Sequence, residues 1–254
     1  MRTILTWLLM ALLPAAGWAS GCMPFDGADD LINCGTGLSM GSSTQVTVSA
    51  WYKATLDVND FLFQRSASSK GFSLRIDEAN ANNLEFYIGK GSAYTFFTYP
   101  HGMSNGLWYH IVATYNGVKG ECFVNAISIG STAVAFTPDW NNGGITAYIS
   151  APNAGEWLHG SIDEVLIYNV ALTAPEIQAM YASGGAWRPY DGDSSKQVLY
   201  IPFDHEGLSS GNAAPNGFVF HDRSGNGNHG TVSDGADNSM TLQSSPVRER
   251  RGRR

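Results

Sequence analysis

The stretch from Gly160 to Gly185, GSIDEVLIYNVALTAPEIQAMYASGG, limits what this chain can fold into more than any other. It reads as a buried strand that turns into one short, capped helix, in a chain otherwise built of strands. Ile162, Val165, Ile167 and Val170 supply β-prone apolar content, and Asp163 and Glu164 interrupt it. Thr173 stands three residues before Glu176, the spacing at which each side chain satisfies the other's free backbone N–H. Leu172 and Ile177 flank that capping box as a hydrophobic staple would, and Gly184 is placed to end the helix. One short helix over 174–182 is expected, near the end of the strand-rich part.

From Phe25 to Tyr168 the pattern is short strands and tight turns. The segments 46–51, 72–76 and 84–88 alternate apolar with polar residues, and 94–99 is aromatic and β-prone. Segment 108–115 runs into the turn signal Asn116-Gly117, with 122–129 as the returning strand. Many short strands at this spacing predict an all-β, two-sheet antiparallel sandwich. Composition agrees: 43% of residues are hydrophobic and only 15% charged, with 29 Gly, 12 Phe, 11 Tyr and 7 Trp, a profile of aromatic strands joined by turns.

The net charge is −7, but the last seven residues carry five Arg and one Glu, so the rest of the chain sums to −11. A body that acidic does not bind nucleic acid on charge alone, and suits divalent cations better. Residues 248–254 are expected to form a disordered basic tail. Residues 1–21 have the parts of a signal peptide: Arg2, an apolar run from Ile4 to Ala16, and Gly17-Trp18-Ala19 at a cleavage site. The run falls short of the roughly 20 residues of a membrane span, so a secreted or cell-surface protein without a transmembrane segment is expected. Of Cys22, Cys34 and Cys122, a disulfide would leave one thiol over. Ala19-Ser20-Gly21 is a weak version of the run before a lipidated bacterial cysteine at Cys22. The alternative is buried thiols that act as small apolar groups.

Four stretches carry a family likeness: Phe25-Asp-Gly-Ala-Asp-Asp30, Val48-Ser-Ala-Trp51, Trp108-Tyr-His-Ile-Val-Ala-Thr-Tyr-Asn-Gly117 and the segment 160–185. In this order they resemble the laminin-G-like jelly-roll module of the concanavalin A-like sandwiches. The resemblance implies a jelly-roll domain over 22–185, followed by a Pro-, Gly- and Ser-containing linker at 186–196. Val124-Asn-Ala126 departs from it, because the family usually closes that turn with Gly. A larger departure concerns order. In the family a strand of the form YWPFDE and a loop of the form DxSGNGNHGT precede FDGxDD; here Leu199-Tyr-Ile-Pro-Phe-Asp204 and the segment 222–231 follow it. Either this displaced head, within 197–247, closes the first domain in cis, or it begins a truncated second module.

A carboxylate inside an apolar strand is costly unless it is paired or bound to metal, which singles out Asp163. Related sandwiches often hold a structural calcium between the Asp of the last strand and an acidic residue of the first, and the resemblance implies Asp163 and Asp204 for that pair. Asp26, Asp29 and Asp30 are alternative ligands, although a Gly- and Asp-rich turn explains them equally. Catalysis is not expected. The laminarinase-type hydrolases carry ExDxxE, whereas Asp77-Glu78 and Asp163-Glu164 are adjacent pairs that would point to opposite faces of a strand. His110 reads as a hydrogen-bonded core histidine, and His229 has no obvious partner in the sequence.

Sugar sites on sandwiches use exposed aromatics beside amides and carboxylates. Trp140, Asn141 and Asn142, in a loop of Pro, Asn and Gly, are the leading candidates, with Trp157, Tyr94 and Tyr99 behind them. Ordinary packing is the competing explanation for each. These expectations add up to a secreted, non-catalytic carbohydrate-binding or adhesive module, with a glycan or an extracellular protein as partner. The alternative is a structural or protein-interaction module of a cell-surface assembly without sugar affinity.

Overall fold

The structure of the protein, a computed structural model, describes residues 21–56, 59–77, 82–152, 156–185, 187–204, 211–233 and 240–245. Residues 1–20 of the expected signal and the basic tail lie outside the described residues. The strands in chain order are β1 (Gly21–Asp26), β2 (Leu31–Asn33), β3 (Val46–Ala54), β4 (Asp60–Ala67), β5 (Lys70–Asp77), β6 (Asn83–Gly89), β7 (Tyr94–Pro100) and β8 (Trp108–Tyr115). They continue as β9 (Lys119–Val124), β10 (Ile127–Ala133), β11 (Tyr148–Ile149) and β12 (His159–Tyr168). The helix α1 (Ala174–Ala182) precedes β13 (Gln197–Ile201), β14 (Val219–Phe220), β15 (Gly230–Ser233) and β16 (Gln243–Ser244).

Two antiparallel sheets result, as the alternation in the sequence requires. The first has the order β10-β9-β8-β3-β12-β1-β16, with β13 also paired to β12; the second runs β14-β15-β2-β11-β4-β5-β6-β7. Every second residue of each long strand points between the sheets. Val46, Val48, Ala50 and Tyr52 of β3 meet Phe72, Leu74 and Ile76 of β5 and Leu84, Phe86 and Ile88 of β6 in one buried cluster. This is the two-sheet sandwich expected of a jelly roll.

β12 organises the first sheet. Along one edge it pairs with β3 from Gly160↔Ala54 to Tyr168↔Thr47. Two strands share its other edge: β13 covers Val165↔Ile201 to Tyr168↔Gln197, and β1 covers His159↔Asp26 to Ile162↔Met23. β13 and β1 run in the same direction and meet end to end. A Cβ placed on Gly21 would fall 2.0 Å from the carbonyl oxygen of Phe203, so only glycine fits the join. The segment after the linker also supplies the second sheet, where β15 pairs with β2 from Thr231↔Asn33 to Ser233↔Leu31. The same Asp222 loop ties both contributions together. Asp222 Oδ1 accepts the Tyr200 and Ser224 N–H groups, and its Oδ2 accepts Ser224 Oγ and Asn228 N. Asn228 and Asn226 then donate to the carbonyls of Val198 and Gln197 on β13.

The helix forms where its caps predict. The Glu176 carboxylate accepts the Thr173 N–H at 2.7 Å, Pro175 occupies the first turn, and Gly184 and Gly185 leave it at φ of 59° and 78°. Ile177 and Met180 bury against Val112, Phe123, Leu166, Tyr168 and Tyr200, so α1 covers the outer side of the first sheet. Among the described residues no helix is long and apolar enough to cross a membrane.

The structure corrects three local expectations. Segment 122–129 is not one strand: it breaks into β9 and β10 at Asn125 and Ala126, whose φ values of 51° and 63° make a tight hairpin turn without the family's glycine. Asn125 contributes a further anchor, its Oδ1 accepting the His110 N–H. Val170 lies beyond the end of β12, its carbonyl accepting the Thr47 hydroxyl. Asp163 and Glu164 do not diverge across the strand. A register shift between Asp163 and Leu166, with Glu164 at φ 51°, leaves Asp163 opposite Trp51 and Glu164 beside Arg188, both toward the helix-covered side.

Candidate functional site

The outer face of the second sheet gathers the side chains best suited to hold a ligand. Cross-strand register stacks them in rows. Ser73 of β5, Tyr87 of β6 and Phe96 of β7 form one row, and Phe61, Arg75, Glu85 and Thr98 form the next. Tyr94 lies two residues from Phe96 on the same side of β7. The Tyr87 ring contacts Tyr94 edge to face at 5.1 Å and Phe96 at 5.2 Å, while Phe61 meets Tyr87 at 6.3 Å. Phe61 and Tyr87 are buried and Tyr94 half-buried, but the Phe96 ring is 53% exposed. Such a ring offers an open apolar face held in place from below.

Polar groups border this platform and hold one another rigidly. Arg75 Nε and Nη2 both lie 2.8 Å from Glu85 Oε2, and Nη1 lies 2.9 Å from Glu156 Oε1. Burial alone would pull the Arg75 pKa down, but the hydrogen bond and charge of Glu85, helped by Glu156, hold it above the ordinary guanidinium value. The Thr98 hydroxyl donates to Glu85 Oε1, and Ser73 and Ser66 link to the Tyr87 hydroxyl. Burial raises the Tyr87 phenol against the opposing pull of those two hydroxyls. Ala151 packs with Phe61 and Tyr87, and the Glu156 carbonyl accepts the Phe61 N–H at 3.4 Å.

The residues expected from the sequence are scattered. Trp140 is buried, packs edge to face on Phe72 at 5.7 Å, and spends its indole N–H on the Ser43 carbonyl at 2.5 Å. It is a core residue, which corrects its reading as an open loop aromatic. Buried Arg65 explains why: its Nη1 donates to the Trp140 carbonyl at 2.7 Å and anchors the loop, while burial lowers its pKa to about 10. Asn142 is exposed, but its Oδ1 accepts Met40 N and its Nδ2 donates to Gly41 O. Asn141 holds a turn at φ 44°. These two asparagines line a shallow depression with Ser42, Thr44 and Thr137. Trp157 is half-buried in the segment that enters β12. Tyr94 and Tyr99, five residues apart, fall on opposite faces of β7. Tyr94 belongs to the platform, whereas Tyr99 packs over Gly130 of β10 with its hydroxyl 2.7 Å from Thr132. Phe96, Tyr87, Arg75 and Glu85 went unnoticed in the sequence, although their period-2 placement in β5, β6 and β7 was there to be read.

Asp163 is fully buried, with Oδ1 accepting the Glu164 N–H and Oδ2 the Ser245 hydroxyl. It lies two residues before the first β12–β13 pair, and Asp204 three residues after the last residue of that pair on β13, so the two share one end of the strand pair. Asp26, Asp29 and Asp30 bring ligand atoms within 4.8 Å of one another, but N–H groups of the same turn already bond to Asp26 and Asp30. His229 has a partner after all, its Nδ1 accepting the Asp222 N–H. The three cysteines are free and buried, and burial pushes Cys22 and Cys34 up to about 12 and raises Cys122 as well. They are inert small apolar groups.

A family model described as the concanavalin A-like lectin/glucanases superfamily matches residues 26–178, which ends before β13. Among curated proteins no sequence matches the chain. Similar solved structures include a Bacteroides ovatus protein proposed to bind carbohydrate, at TM-score 0.67 and 18% identity over 90% of this chain. This chain spans only 61% of that protein's length. A heptameric SAP-like pentraxin from Limulus polyphemus matches at TM-score 0.59 and 15% identity, over 92% of this chain and 99% of that one. The CBM40 of the Ruminococcus gnavus IT-sialidase, bound to α2,3-sialyllactose, matches at 0.50 and 14%, over 65% of this chain and all of that one (100%). Identities this low show a shared fold.

The core under α1 makes one pH prediction. His110 is buried between Trp51 and Tyr181, its Nε2 is 3.0 Å from Ser49 Oγ, and burial lowers its pKa from 6.5 to about 3. The folded state therefore binds fewer protons than the unfolded chain between these values. The contribution of His110 is complete above pH 6.5 and is lost as pH falls toward 3, at up to ~1.4 kcal/mol per pH unit. Chemical denaturation across that window should show the slope, and His110→Gln should make it shallower by that amount. An unchanged slope in the variant would contradict a buried neutral histidine.

Proposed function

The chain belongs to the concanavalin A-like lectin/glucanases superfamily, and on that premise we propose that it is a carbohydrate-binding module whose ligand lies on the outer face of the second sheet. The observation that carries this reading is the open ring of Phe96, braced by Tyr87 and Tyr94 beside the Arg75, Glu85 and Glu156 network. Pyranose rings present apolar C–H faces that stack on such rings, with hydroxyls at their rims for carboxylates and amides. A rigid platform binds without first being ordered, which lowers the entropic cost of association. Similar folds that carry carbohydrate-binding names support the reading. The proposal is of a non-catalytic module. Asp163 and Glu164 are buried at 0% and 1% exposure, where a glycosidic bond cannot reach them. It is also of an exported one, supported by the apolar N-terminal stretch with its basic start.

A structural calcium at Asp163 and Asp204 belongs to the same proposal. Their shared end of the β12–β13 pair supports it, and the two donors already on Asp163 weigh against it.

Titration of a glycan array should find binders whose affinity drops roughly tenfold in Phe96→Ala, the value of one lost stacking contact. Ile127→Ser, exposed on β10 of the other sheet, should bind as the parent does. Absence of any glycan binding, or full affinity in Phe96→Ala, would count against the face. For calcium, the thermal midpoint should rise by several degrees over that in chelator, and equal midpoints would remove the ion.

A further inference from the structure

We propose that this face selects uncharged, hydroxyl-rich glycans and excludes acidic ones, an inference that rests on the glycan reading of the same face. Recognition of a sialic or uronic acid carboxylate calls for a guanidinium fork or ammonium free to receive it. Arg75 is the cation in the middle of the face, and its fork is filled from within the protein. One edge of the guanidinium, Nε and Nη2, lies on Glu85 at 2.8 Å. Nη1 lies on Glu156 at 2.9 Å, and the Asp77 carboxylate is 3.9 Å from Nη2. One positive group thus stands among three negative ones, a cluster with a local charge of −2. The whole chain, at −7, adds to that field rather than opposing it.

The neighbouring cations do not reverse the sign. Lys70 is paired with Asp139 at 3.5 Å. Lys90 is exposed in the turn after β6, five residues from Glu85, or roughly 16 Å along the strand. What the cluster offers is acceptor capacity. The Glu156 side chain is 30% exposed and uses Oε1 for Arg75, which leaves carboxylate surface for hydroxyl donors on the same face. Sugar hydroxyls can donate to it, while a ligand carboxylate meets like charge on a partly desolvated surface.

The test is a panel of neutral oligosaccharides, each beside its sialylated and its uronate-bearing counterpart, titrated at about 10 mM and about 150 mM salt. Neutral members should bind, Phe96→Ala should weaken that binding roughly tenfold, and acidic counterparts should be at least roughly tenfold weaker than neutral ones at low salt. Added salt should narrow the gap as repulsion is screened, and Glu156→Gln should narrow it further. Acidic members that bind as well as neutral ones, with the binding weakened in Phe96→Ala or in Lys90→Ala, would overturn the charge selection and leave the face as a glycan site. Binding to no member, or binding indifferent to Phe96→Ala, would overturn the glycan reading and this inference with it.

Discussion

The edge of β12 is the constraint on which the first sheet depends. A ten-residue strand at the centre of a sandwich must have its backbone groups paired on both sides, because an uncovered edge there is both costly and sticky. β3 supplies one side, apart from the bulge at Glu164. The other side is assembled from two pieces of chain that start 176 residues apart, β13 and β1, abutting at Phe203 and Gly21. Those pieces run in one direction and lie end to end along one edge of β12. The Asp222 loop holds β13 in position, and β15 then continues the same segment into the opposite sheet.

The candidate site lies on the second sheet. The strands β4 to β7 present their outer residues in rows set by their mutual register, and the same sheet continues through β11 and β2 to β15. Two faces of this sandwich are used differently. The helix and the polar residues beneath it seal the outer side of the first sheet, so His110 and Glu164 are buried there. The outer side of the second sheet is left open at Phe96. A charged network that is satisfied internally, as around Arg75, gives rigidity and a fixed field rather than a grip on an anion.

How far the sequence could be read depended on the range of the interactions. The helix was legible because its signals are local: Thr173, Glu176 and Gly184 act within a few residues of one another. Strand positions were legible from alternation, and the pairing of β13 was one of two stated possibilities. Trp140 misled because its neighbours, Asn141 and Asn142, look like an open loop, while the groups that bury it, Arg65, Phe72 and Ser43, are distant in sequence. On β7 both faces carry aromatics, Tyr94 and Phe96 on one side and Phe97 and Tyr99 on the other. Composition alone could not say which pair faced the core. The bulge at Glu164 likewise needs the register of three strands and leaves no mark in the sequence.

Cis closure is tested most directly by ending the chain after Gly185 and comparing it with the chain through Ser245. Closure by β13 predicts that the shortened chain loses its cooperative thermal transition. Backbone amides of the β12 half that pairs with β13, residues 165–168, should then exchange with solvent far faster. A shortened chain with the same midpoint and the same amide protection would contradict it, because β12 would then need no strand from the C-terminal segment.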